Sequence, residues 1–474
     1  MGKKKYKNTL EFLGMASEQV TGSSYLINWQ GYKILLECGG SQTNNVKEDY
    51  EVNSRQFKFK PKDLDFVMIL HFHSDHIFLV PKLVKEGFVG KIITPNDSFD
   101  ILKIMWEDSA HIISKDCDYL IKQYKKNYKP IYEKEDVLNT LHLIEECDFN
   151  KEIKLNDSVS FMLLPSQHII RASQLILTLK DGSKVRKIGY SSDLGNTKFG
   201  SSLYCEDFIP IKSVDIMIGE TTYCSKDKST RNFKDRQKDL EKIKSVIDQF
   251  VIENKRKVLI PAFALHRCEI MLKLIYDIYK DSREDFDIVL DTPMGIKLTK
   301  LYYTLLKGKD KEEFGKILEW NKLKLAEEYD ASRIVVESDR PTVIISASGM
   351  LTAGRSVSHL QSIIEDEKSC VLTCGYSSPN TLAGKIKEGK FDKIKIANEE
   401  FKNKVQLVQL TTMSSHMQYD ELIEYYNNIN CNSIYLVHGN EDRYKFASEL
   451  QDKYGELNKT TKVWIGVKDT IVDL

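Results

Sequence analysis

The sequence has no excess of either charge: 69 Lys and Arg balance 69 Asp and Glu over 474 residues. That excludes a global basic field, so any contact with nucleic acid has to come from a local groove. No apolar run reaches the length of a membrane span. The opening MGKKKYKNTL lacks the hydrophobic core of a secretory leader, and Tyr6 stands where an acylation signal after Gly2 requires Ser or Thr. The nine cysteines are odd in number, scattered, and include no CxxC pair. This argues against a disulfide framework and against a cysteine-type zinc site. The expectation is a cytoplasmic protein with reduced, mostly buried thiols and no membrane partner. Internal repeats and low-complexity linkers are also missing.

What is present is an ordinary globular composition over a length that suggests two or three domains. From about Leu10 to Asp193, short β runs end in polar or glycine turns, among them YLINWQGYKILLECGG, DFVMIL, VSFMLLPSQH and RKIGYSSD. YLINWQGYKILLECG predicts a hairpin turning at Gly31. A helical segment from Ser98 to about Thr140 interrupts the strands and includes the Lys- and Tyr-rich YLIKQYKKNYKPIY. After DIMIGETTY, helices such as HRCEIMLKLIYDIYK alternate with runs such as KVLIPAF and PTVIISASG, the pattern of a parallel, doubly wound sheet. Short strands ending in histidine then return. The simplest organisation is one domain interrupted by another, with residues 1–218 and 405–474 enclosing 219–404.

Histidine is scarce, ten in all, yet MILHFHSDHIFLVP places His71, His73 and His76 with Asp75 at the mouth of one strand. Two imidazoles, a carboxylate and a third imidazole form a zinc-type ligand set. Two ligand pairs in one turn suggest two metals. Further ligands stand where other apolar runs exit into loops: His168 after VSFMLLPSQ, Asp193 after KIGYSS and His438 after SIYLV.

The set HFHSDH, PSQH, YSSD and LVHG resembles the metallo-β-lactamase fold, an α/β architecture with two sheets sandwiched between helices. The resemblance implies that His71, His73 and His168 hold one Zn²⁺, that Asp75, His76 and His438 hold a second, and that Asp193 bridges them. MIGETTY, PAFALHRCEIM, SASGMLTAGRSVSHL, GYSSPNTLAGKIKEG and TMSSH resemble the β-CASP insertion, a mainly parallel sheet with flanking helices. The chain is thus similar to β-CASP ribonucleases, including the endonuclease subunit of the pre-mRNA cleavage machinery and its archaeal and bacterial homologues. It departs from their pattern at Glu37 (usually Asp), at Ile77-Phe78, and at Gln167 and His266 (usually Gly).

What the resemblance implies is a two-zinc hydrolase of single-stranded RNA that leaves 5′-phosphate ends. Asp75 and Asp193 would act in catalysis as well as in metal binding, His416 would be the general acid, and Glu220 the carboxylate fixing its tautomer. Glu37 would orient a ligand from behind. In the glycine loops, Ser348, Gly349, Ser377 and Ser378 would present backbone N–H groups to phosphates. Arg267 is either a phosphate contact or an internal ion pair. The Lys/Tyr segment is either a stacking surface or a solvated helix face. Two other functions stay open, a single-strand DNA nuclease of the same fold and a metal-binding scaffold subunit. Among partners beyond RNA, a homodimer and an RNA-processing complex are both compatible with the sequence.

Overall fold

The computed structural model describes residues 7–17, 19–43, 45–196, 202–226, 236–375, 381–389, 391–396 and 399–474. The chain forms two compact units. One comprises Met1–Thr197, Cys205–Thr230 and Ser415–Leu474, the other Lys198–Tyr204 and Arg231–Ser414. Among the described residues, no helix is long and apolar enough to cross a membrane.

The first unit is built on two seven-stranded sheets with the same internal plan. In one, Ile471–Asp473, Thr9–Phe12, Tyr25–Trp29 and Tyr32–Leu36 pair antiparallel, and Phe66–Met68, Lys91–Pro95 and Ile144–Cys147 extend it in parallel. In the other, Ile153–Lys154, Val159–Pro165, Ser173–Asp181 and Lys184–Tyr190 pair antiparallel, followed in parallel by Ile216–Glu220, Ser433–Val437 and Lys462–Ile465. Alternate residues of each strand line the face that meets the other sheet. Phe12, Ile27, Ile34 and Met68 from the first meet Phe161, Leu175, Leu177 and Ile218 from the second in one core. The outer face of the second sheet is covered by helices Tyr419–Asn427 and Asp442–Glu456 through Leu422, Tyr426, Phe446 and Leu450.

The hairpin turns where the sequence predicts. Trp29 pairs with Tyr32, and Gln30 (φ 52°) and Gly31 (φ 92°) form a two-residue turn with both φ positive, the geometry that suits the strand twist. The Lys/Tyr segment differs from expectation. Helix Phe99–Tyr124 ends at Lys125 (φ 55°), and no helix resumes until Lys134–Leu141, because Pro130 removes a backbone donor within the intervening run.

In the second unit, Leu323–Leu325, Asp287–Leu290, Thr342–Ser346, Lys257–Pro261, Cys370–Thr373 and Gln406–Gln409 form a sheet parallel throughout. The central runs KVLIP, TVIIS and CVLT are buried at every position, as a sheet covered on both faces requires. The α/β expectation, a two-sheet sandwich plus a parallel sheet, therefore holds. All nine cysteines are free.

One feature of the first unit positions the chemistry. The ECGG turn is laid directly on the HFHSDH loop: Cys38 N–H donates to His76 O (2.9 Å) and Gly40 N–H to Ser74 O (3.1 Å), and the neighbouring Ser23 N–H donates to Asp75 O (2.8 Å). A Cβ on Gly39 would lie 1.6 Å from Asp75 O. Gly39→Ala should therefore lower the unfolding free energy by about 3 kcal/mol, the upper end of the usual overpacking cost. Thermal or denaturant unfolding measures it, and a wild-type midpoint would show that the loops can separate at no cost.

Candidate metal centre

Strand Phe66–Met68 runs through Ile69 and Leu70 into the loop carrying His71 and His73, and the short helix Ser74–Ile77 follows. Lys184–Tyr190, Ile216–Glu220 and Ser433–Val437 are adjacent and parallel, with Tyr190 opposite Ile218 and Glu220 opposite Val437. Their C-terminal ends consequently deliver Asp193, Glu220 and His438 to the same edge of the sheet. His168 comes from the loop after Val159–Pro165, where a Cβ on Gly195 would lie 1.9 Å from Gln167 O.

The side chains form overlapping groups with ligand atoms within 4.8 Å of one another: His71, His73, His168 and Asp193, and next to them Asp75, His76 and His438. In the first group His71 Nε2 is 3.0 Å from His73 Nδ1, and His168 Nε2 is 3.4 Å from that same nitrogen. Asp193 Oδ2 lies 3.5 Å from His71 Nε2 and 3.6 Å from His168 Nε2. In the second, His76 Nε2 is 3.5 Å from Asp75 Oδ2, and His438 Nε2 is 3.2 Å from the same oxygen. The other oxygen of Asp193, Oδ1, lies 3.4 Å from His76 Nε2 and 3.6 Å from His438 Nδ1. Asp193 thus divides its two oxygens between the two groups.

This donor set fits zinc. Ligands 2.0–2.1 Å from a tetrahedral ion are separated by about 3.3 Å, the spacing seen here. His76 Nε2 and Asp193 Oδ1 are buried and have no hydrogen-bond partner among the described residues, a costly state that a cation would relieve.

Behind the imidazoles a second layer fixes their orientation. His76 Nδ1 donates to Glu37 Oε2 (2.5 Å), which turns Nε2 toward Asp193. The same carboxylate accepts from Tyr190 Oη (2.5 Å) and Ser192 Oγ (2.7 Å), and its Oε1 lies 4.0 Å from His71 Nδ1. Glu37 therefore supports one imidazole from each group. Thr222 Oγ1 sits 2.9 Å from His438 Nδ1 and plays the equivalent part there.

The electrostatics of the two groups differ. Burial, reinforced by His71, pushes His73 down to about 3. Burial together with the neighbouring His416 holds His168 well below the usual imidazole range. These rings are neutral near pH 7, with a lone pair available. Burial works against charge on His76, but Glu37, Asp193 and Asp75 hold its pKa well above the usual value. Burial likewise opposes ionisation of Glu37, and His76 and His71 more than reverse it, bringing the carboxyl to about 2. A cation entering the second group therefore displaces protons.

His416 and Glu220 stand beside the clusters. Glu220 is buried; its Oε1 accepts from Leu194 N–H (2.9 Å) and lies 3.3 Å from His416 Nδ1, and its Oε2 accepts from Thr222 N–H (2.9 Å). His416 Nε2 is 4.0 Å from Asp193 Oδ2, and its side chain is partly exposed. Arg267, Ser348 and Gly349 lie in the second unit. Arg267 is buried at the start of helix Arg267–Tyr279, and Ser348 Oγ accepts from Thr352 N–H at 3.0 Å. A Cβ on Gly349 would come within 3.3 Å of Phe263 N. Ser377 and Ser378 fall outside the described residues.

Sequence reasoning missed Tyr190, Ser192 and Thr222. Their hydroxyls are ordinary strand-end residues, and only the pairing of distant strands reveals their targets. The departures from glycine have a backbone signature: Gln167 (φ 60°) and His266 (φ 72°) both occupy the left-handed region, as do Glu37, Ser192 and His438. Strain of this kind gathers at functional sites.

Comparison with known proteins agrees with this geometry. Residues 18–146 match the metallo-beta-lactamase superfamily, residues 268–386 the Beta-Casp domain, and residues 403–463 a Zn-dependent metallo-hydrolase RNA specificity domain. Ribonuclease TTHA0252 of Thermus thermophilus is 26% identical over 439 residues, covering 90% of this chain and 92% of the relative. The RNase J-like protein of Methanocaldococcus jannaschii is 26% identical over 478 residues, covering 98% and 99%. Cleavage and polyadenylation specificity factor 73 of Drosophila melanogaster is 22% identical over 458 residues, covering 94% and 62%. A crystal structure of a protein of unknown function from Enterococcus faecalis V583 shares the fold, with a TM-score of 0.54 and 13% identity over 99% of this chain and 100% of that one.

Glu37→Gln keeps the size of the side chain and removes the charge behind His76 and His71. It should weaken Zn²⁺ affinity by about 10–100-fold in a competition titration against a chromophoric chelator. Parental affinity would mean that Glu37 only fills space. Its matched domains and its buried His/Asp clusters together give the chain a metallo-β-lactamase fold with Beta-Casp and Zn-dependent metallo-hydrolase RNA specificity domains.

Proposed function

We propose that the protein is a two-zinc endoribonuclease that hydrolyses phosphodiester bonds of single-stranded RNA and leaves 5′-phosphate and 3′-hydroxyl ends. The observation that carries this reading is the division of the Asp193 carboxylate between two ligand groups, with the His416–Glu220 pair adjoining it. The RNA specificity match over residues 403–463 supports RNA as the polymer, as do relatives whose names are ribonucleases.

His71, His73, His168 and Asp193 would hold one zinc, and Asp75, His76, His438 and Asp193 the other. When bound, zinc supplies Lewis acidity toward phosphoryl oxygens and lowers the pKa of water to about 7. The chain's own residues supply the rest. Glu220, held by two backbone N–H groups, keeps a proton on His416 Nδ1 and so aims Nε2 toward the cluster. His416 is partly exposed, so its Nε2 proton is accessible to a departing 3′-oxygen. The buried histidines, by contrast, are turned inward. Arg267, Ser348 and Gly349 form the part of this proposal that grips the RNA backbone.

His416→Ala should slow turnover by about 10²–10⁴-fold while bound zinc stays at the parental level. Asp193→Ala should abolish cleavage and reduce the zinc content of a protein that still folds. Both are read by metal analysis alongside hydrolysis of internally labelled and end-labelled RNA. Release of mononucleotides alone would replace the endonuclease with an exonuclease. Faster cleavage of a matched single-stranded DNA would replace RNA with DNA. Parental turnover in His416→Ala would remove the general acid.

A further inference from the structure

Two stretches of the first unit are rich in cations and aromatic rings and contain no acidic residue: RQFKFKPK, residues 55–62, and YLIKQYKKNYKPIY, residues 119–132. The fold brings them together. Helix Val80–Lys85 lies between them, and its Lys82 Nζ donates to the carbonyls of Asn53 (3.0 Å) and Arg55 and sits over the Phe57 ring at 4.5 Å. Nearly one turn further, Lys85 Nζ donates to Pro130 O at 3.0 Å. Tyr50 meets Tyr128 edge-on at 5.1 Å and donates from its hydroxyl to Lys129 O at 2.9 Å.

Rings stay accessible on these segments. Tyr119 is 54% and Tyr124 41% exposed, and the half-buried Phe57 and Phe59 are stacked with centroids 5.3 Å apart. Some of the cations are committed: Lys47 pairs with Glu51, Lys58 with Asp469 and Lys85 with Asp136. Lys60, Lys62, Lys122, Lys125, Lys126 and Lys129 are exposed and form no ion pair with another described residue. A purely structural helix surface would tend to pair its cations with acidic neighbours along the helix. Uncommitted ammonium groups beside open rings suit a polyanion with stackable bases. The surface is also braced against the metal loop, since the Tyr132 ring packs 5.8 Å from Phe78, two residues beyond His76.

We propose that this surface, formed by residues 55–62 and 119–132, is an accessory docking site for single-stranded RNA, separate from the metal centre, that holds strand lying outside the site of cleavage. The choice of ligand rests on the ribonuclease reading above; the juxtaposition of the two stretches does not.

The test uses the full-length chain in chelator, so that binding is measured without cleavage. Oligouridylates of about 30 and about 6 nucleotides are titrated by fluorescence anisotropy at several salt concentrations. The triple variant Lys122→Ala/Lys125→Ala/Lys126→Ala should bind the long strand at least about tenfold more weakly. It should also reduce the slope of log Kd against log salt by about 2, at roughly 0.7 per lost contact. Tyr124→Ala should weaken the long strand about tenfold with the slope unchanged. Binding of the short strand, and its zinc-dependent hydrolysis where it occurs, should match the parent. Parental binding of the long strand by both variants overturns the docking site and leaves the face to an acidic protein partner. Loss of binding in the variants of a parent that cleaves no RNA would support the docking site while ending the ribonuclease reading.

Discussion

A single buried carboxylate organises the centre. Asp193 turns one oxygen toward His71 and His168 and the other toward His76 and His438, and it does so within the sandwich unit, where water cannot screen it. Burial alone would favour the protonated acid. The surrounding imidazoles reverse that preference and hold the carboxyl well below its usual range. An ionised carboxylate in such a place depends on the imidazoles gathered around it. The ligand groups are therefore mutually dependent, and the site behaves as one object.

The supporting layer follows the same logic. Glu37 accepts from His76 and Tyr190 at Oε2 and from Ser192 at Oε1, and that second oxygen faces His71 Nδ1 at 4.0 Å. Its backbone is left-handed, a conformation shared with Ser192 and His438 in the same shell. These residues sit next to loops that pack closely against one another. Gly39 and Gly195 press two of those loops against the ligand-bearing turns.

Much of this was legible in the sequence because the chemistry is written at strand ends. HFHSDH after an apolar run, and single His or Asp residues where later runs exit, mark ligands independently of their partners. The doubly wound middle was legible from alternating helices and strands, because runs such as TVIIS are buried on both faces and show no polar alternation. Three kinds of information were not. The hydroxyls of Tyr190, Ser192 and Thr222 acquire meaning only from long-range pairing. The repetition between the two sheets has no counterpart in residue identity, since only the order of antiparallel and parallel pairings is repeated. The Lys/Tyr stretch carried helical spacing, yet a left-handed residue at Lys125 and the proline at 130 override it.

The position of the closing strand has a temporal consequence. Ser433–Val437 lies directly beside Ile216–Glu220 in parallel register, although an entire second unit is encoded between them. Closing so long a connection costs little more than closing a shorter one, because loop entropy grows only logarithmically. On a ribosome, however, His438 emerges only after the second unit has been made. The His71, His73, His168 and Asp193 donors all precede the bulk of the second unit in the chain, whereas the Asp75, His76 and His438 cluster cannot be completed until that unit has been made, so the centre remains unarmed while the second unit is still being read.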